Sequence, residues 1–188
     1  MRRFVPYRLA LAIAFLVQIG LVGWMIADRA LLLANGRELR LAVVPVDPRD
    51  LVRGDYVTLT YAMSRLDSSA LDGDDTLADD EPVYVSLKEE GESWVPTAIH
   101  AAPPAEGTWM RGTVTDVRSK TGCSGACAVY SVEYNIEKFF VPEGTGRELE
   151  KLRNDQRISV DIALASNGRA ALKRLLVDGE PRYDEPFL

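Results

Sequence analysis

The chain has 188 residues, 47% of them hydrophobic and 27% charged, and a formal net charge of −6. That length holds one membrane-anchoring segment and one domain of about 150 residues with a core of its own. The charge is uneven: Arg2, Arg3 and Arg8 with no acid give residues 1–27 a charge of +3, so the remainder carries −9, which argues against polyanionic partners and sets nucleic acid aside.

Leu9 to Ala27 is a 19-residue run in which Gln18 is the strongly polar side chain. A helix of that length spans roughly 28 Å, close to the hydrocarbon core of a bilayer. Tyr7 and Trp24 stand near its ends, where amphipathic aromatics prefer to lie. The amino-terminal arginines hold the start of the chain in the cytoplasm by the positive-inside rule. A cleaved signal peptide has a shorter apolar region, about 7–15 residues, and Asp28-Arg29 interrupts the approach to a processing site. The run therefore reads as a retained signal anchor. The expected organisation is 1–8 as cytoplasmic N-terminus, 9–27 as transmembrane anchor, 28–38 as juxtamembrane stalk and 39–188 as a β-rich domain outside the cytoplasm.

Leu39 to Val46 reads as a first strand, closed by a turn at Asp47-Pro48-Arg49-Asp50. Gly54 permits a left-handed or bulged step before the next strand. From there Asp55, Val57, Leu59 and Tyr61 alternate with Tyr56, Thr58 and Thr60, the period of a strand. An acid on the Val57–Leu59 face is costly to bury without partners. Asp55 either accepts backbone N–H groups across the Arg53-Gly54 turn or forms a polar site with Arg53.

Ser68 to Glu81 is dense in acids and reads as a solvated loop; its spacing does not fit an EF-hand. Pro82–Leu87 and Trp94–His100 form a hairpin, as do Trp109–Arg118 and Ala128–Ile136. The loop between the latter pair carries Cys123 and Cys127, the two cysteines of the chain. A structural zinc site takes about four ligands and His100 is the lone histidine, so no metal is expected. In an oxidising compartment two thiols this close tend to close a disulfide. Thr145-Gly146-Arg147-Glu148 has the form of a capping box, opening a short helix over Arg147–Arg153. Arg157–Ala165 and Ala170–Val177 form a last hairpin, and Pro181–Leu188 reads as a loose tail. Many short strands and one small helix predict a β-dominated domain, all-β or α+β, of barrel or sandwich type.

The stretch Gly54-Asp55-Tyr56-Val57-Thr58-Leu59-Thr60-Tyr61 resembles the motif of the GDYxxLxY family of bacterial membrane-anchored proteins. The approach Val46-Asp47-Pro48-Arg49-Asp50-Leu51 with Arg53 is similar to the family's lead-in. Glu137 followed by Phe140-Val141-Pro142-Glu143-Gly144 and Gly146 is similar to its second signature. The resemblance implies a single-span envelope protein with no assigned activity, often encoded beside multi-span membrane proteins. It supplies no catalytic residues and no cofactor. The motif positions Arg53, Gly54, Asp55, Tyr56, Leu59, Tyr61, Glu137, Phe140, Pro142, Glu143 and Gly144 are then the candidate interaction residues. The two signatures are expected to lie side by side.

An enzymatic reading is weak. Pro48 to Val57 is similar in outline to a segment of type I signal peptidases. The serine and lysine that such an enzyme needs are missing from the matching positions, where Val43, Val44 and Val46 stand and the first lysine of the chain is Lys88. The favoured function is an interaction module without catalysis, partnering a multi-span inner-membrane protein or another envelope protein. The alternative is binding of an envelope glycan or small ligand, with Tyr56, Tyr61 and Phe140 as stacking surface. A hydrolase distantly like signal peptidase ranks last.

Overall fold

The apolar run folds as part of one helix, α1 (Tyr7–Asn35), 29 residues long. The computed structural model describes residues 7–45, 56–74, 76–120, 127–141 and 146–184. Every residue of α1 from Tyr7 to Ala27 is exposed on all sides. A helix that is apolar all round has the composition of a core helix or of a membrane span, and α1, uncovered by the domain, is long and apolar enough to cross a membrane.

The strands follow in order: β1 (Arg37–Ala42), β2 (Tyr56–Thr58), β3 (Arg65–Asp67), β4 (Asp72–Gly73), β5 (Pro82–Glu90), β6 (Ser93–His100), β7 (Thr108–Ser119), β8 (Ala128–Glu133) and β9 (Lys138–Phe140). A second helix, α2 (Gly146–Asn154), precedes β10 (Ile158–Leu164), β11 (Ala170–Val177) and β12 (Glu180–Asp184). Among the described residues they form a sheet ordered β1-β10-β11-β12, a sheet ordered β3-β8-β7-β5-β6-β4, and the ribbon β2-β9. The result is strand-rich, with a curled half-barrel sheet. Bulges at Ser86/Leu87, Val114/Asp116 and Asp161/Ile162 interrupt the registers; an extra residue on one strand bends it and raises its twist. One core fills the interior, contributed by β1, β5, β7, β8, β10 and β11, with Tyr61, Tyr130 and Phe139 among its largest buried side chains.

Two local readings change. The tail is not wholly loose: Asp178 and Gly179 take positive φ of 54° and 82°, the left-handed pair that closes a tight hairpin, and β12 pairs with β11. The acidic stretch is tied down. Asp74 Oδ2 accepts the Ala101 N–H at 2.7 Å, β4 runs parallel to β6, and Leu77 is buried. Residues 28–38 hold the end of α1 and the start of β1, and they pack directly on the domain. Leu33 is buried against Ala163 and Ala171, and the Gly36 N–H closes the helix on the Leu32 carbonyl at 2.8 Å.

Candidate functional site

The two signatures meet in the ribbon. Strands β2 and β9 pair antiparallel, with Tyr56 opposite Phe140, Val57 opposite Phe139 and Thr58 opposite Lys138. The Leu59 N–H extends the contact to the Glu137 carbonyl at 2.7 Å. Gly54, Asp55 and Arg53 on one side, and Pro142, Glu143 and Gly144 on the other, lie outside the described residues.

The second half of the motif is core. Leu59 is fully buried and Tyr61 is 1% exposed, as the alternation of that strand predicts. The Tyr61 hydroxyl donates to the Ile136 carbonyl at 2.6 Å, and Tyr61 bridges back to Val43 beyond β1. Burial pushes the Tyr61 phenol well above its ordinary pKa, and the Glu137 carboxylate adds to the effect.

Glu137 organises the turn after β8. Asn135 takes a positive φ of 61°, and Glu137 Oε1 accepts the Tyr134 N–H at 2.6 Å. Tyr134 is buried and donates its hydroxyl to the Met63 carbonyl at 2.9 Å. Its phenol is also pushed up, by burial first and then by Glu137.

Helix α2 supplies a contact that the motifs alone do not reveal. Arg153 is 7% exposed and donates from Nη1 to the Thr58 carbonyl at 2.9 Å, so the helix grips the outer part of β2. The available signal is helical spacing: Arg153 falls four residues after the buried Leu149, on the same stripe. An arginine on an apolar stripe must spend its donors inside the fold.

In contrast to these buried members, Phe140 is 68% exposed on the ribbon. The ribbon thus carries an internal set, Leu59, Tyr61 and Glu137, and an outward one containing Phe140. A family model described as GDYXXLXY protein matches residues 18–175, a span that takes in the ribbon, the six-stranded sheet, β1, β10, most of β11 and the second half of α1. The chain belongs to the GDYXXLXY family. No curated protein and no solved structure matches it.

Two further sequence candidates take their places in this GDYXXLXY domain. Cys127 is half-buried ahead of β8, and its carbonyl accepts the Lys120 N–H at 2.9 Å; Cys123 lies outside the described residues. His100 Nε2 stands 2.9 Å from Ser86 Oγ across β5 and β6. The pair reads as a cross-strand hydrogen bond.

Proposed function

We propose that this GDYXXLXY protein is a contact module of the bacterial envelope, held by one membrane span and acting through a protein partner. In this reading residues 1–8 are cytoplasmic, 9–27 cross the inner membrane, and the domain from residue 39 onward lies in the periplasm. The +3 charge of residues 1–27 supports that orientation.

The observation that carries the reading is the ribbon. Both signatures converge on it, the core holds it from beneath through Leu59 and Tyr61, and it presents Phe140 outward. An exposed aromatic on a rigid support is the kind of residue that anchors protein interfaces. Arg53, Asp55, Tyr56, Pro142, Glu143 and Gly144 belong to the same proposed surface. A photo-crosslinking residue at position 140 of the full-length protein, in native membranes, should give a discrete adduct of defined mass. The same probe at Arg118, an exposed position on β7, should not. Equal labelling at both positions would remove the ribbon from consideration.

We further propose that Cys123 and Cys127 form a disulfide in the cell. Two cysteines in one segment of an exported domain meet an oxidising compartment. Mass spectrometry of non-reduced protein from the envelope should find both blocked to alkylation. Free thiols there would count against both the bridge and the periplasmic location.

A further inference from the structure

A cavity of about 320 Å³ lies between the last turns of α1 and the domain. It is lined by Asp28 and Arg29 from α1, Arg111 and Thr113 from β7, Asn135 from the turn after β8, and Arg169 ahead of β11. Among the described residues of its wall, Arg29, Arg111 and Arg169 stand with the carboxylate of Asp28, in a chain that carries −9 beyond Ala27. Arg169 holds Asp28 through both of its terminal nitrogens, each at 2.8 Å. Arg111 is exposed, and among the described residues its guanidinium makes no hydrogen bond or ion pair. The backbone beside it is firmly placed, with the Arg111 N–H donating to the Gly168 carbonyl at 2.8 Å.

The depth of the cavity is set by the helix. Asp28 follows the apolar run directly, and Leu32, also in the wall, is one turn further on. That turn rises about 6 Å, and the polar layer on each side of a bilayer is roughly 5–8 Å thick. The wall residues of α1 therefore lie at the level of the lipid phosphates. Guanidinium groups match phosphate oxygens with paired donors, and the Thr113 hydroxyl and Asn135 amide add neutral ones.

We propose that this cavity takes the phosphate of an anionic phospholipid, which docks the domain on the headgroup layer beside its own anchor. The inference rests on the membrane-anchored reading, whichever leaflet faces the domain. A dilute anionic headgroup would gain from the local cations what the acidic remainder of the domain denies it.

The test uses the full chain in phosphatidylcholine nanodiscs containing a minor fraction of headgroup-labelled phosphatidylglycerol. The protein should enrich the labelled lipid at its surface. Arg111→Gln should lower that enrichment about fivefold, the factor set by one basic residue near a membrane surface. Arg118→Gln, on the same strand but outside the cavity, should leave it unchanged. Both variants should melt with the parent protein, since both side chains are exposed. Equal enrichment in the parent and Arg111→Gln would overturn the proposal. Displacement of the label by millimolar inorganic phosphate would also overturn it, in favour of a free-phosphate site. Resistance to alkaline carbonate extraction separates the two levels. A chain that stays inserted but shows no lipid preference sinks the headgroup site alone, whereas a chain released by carbonate sinks the anchor and the site together.

Discussion

The signature ribbon and the helix joint attach to the same domain by opposite means. The ribbon is held from inside: Leu59 and Tyr61 fill the core, and Arg153 reaches through to the Thr58 carbonyl. The joint is held from outside, by small residues and charge. Leu33 sits on Ala163 and Ala171, Gly36 lies against the sheet, and Asp28 pairs with Arg169. The difference teaches where a family motif places its information. The buried letters of the motif, Leu59 and Tyr61, are core residues. The joint uses residues that carry little signal of their own, and it leaves room for a cavity beside the helix.

Breaking the ribbon should therefore unfold the domain, whereas breaking the joint should free the helix and spare the domain. Leu59→Ala is the largest expected effect. Emptying a fully buried leucine site costs about 2–5 kcal/mol, and at about 2–4 °C per kcal/mol for a domain near this size the detergent-solubilised protein should melt clearly earlier. An unchanged melting temperature would show that the motif leucine is not core.

Tyr61→Phe should follow, at about 1–3 kcal/mol, because the Ile136 carbonyl is left buried without its donor. Denaturant unfolding reads this directly, and a loss below a few tenths of a kcal/mol would refute the role given to the hydroxyl.

Gly36→Ala addresses the joint. A Cβ there would lie 2.6 Å from the Leu32 carbonyl and 2.9 Å from the Ala163 Cβ, closer than packed atoms tolerate. Spin labels on α1 and β11 should report a broadened distance distribution while the domain melts within a degree or two of the parent. Joint loss of the distance and of the fold would erase the contrast between the two regions.

The smallest effect concerns a surface tie. The Lys120 ammonium beside Asp67, helped by the Ser69 hydroxyl and N–H, holds the Asp67 carboxyl down at about 2. A depressed carboxyl adds stability that is fully present above its ordinary value of 3.8 and is lost as the pH falls through about 2. Both side chains are partly exposed, so solvent screening keeps the energetic contribution small. Carboxyl-carbon NMR should give a titration midpoint near 2; a midpoint near 3.8 would mean that the tie does not form.

Much of this could be read along the chain, because it is local. The apolar length of residues 9–27 dictates a spanning helix. Period-two alternation dictates the strands and puts Leu59 and Tyr61 on the buried face. Even the β11–β12 hairpin carries a signal in Asp178-Gly179, faint beside the short, polar strand that follows. Other features depend on where distant strands come to lie, and spacing does not encode that. Arg40 and Asp161 face each other across β1 and β10, 121 residues apart, and Asp161 is buried at 2.8 Å from that guanidinium. Nothing near either residue announces the other. The same holds for the cavity beside α1, whose arginines come from α1, β7 and the turn before β11. Sequence alone determined which residues face inward and which segment is long and apolar enough to cross a membrane, since both follow from the periodicity and length of a single element. Only the curl of the sheets decided which charges meet, because a pair interaction needs both partners within a few ångströms and the chain brings them there only when it closes.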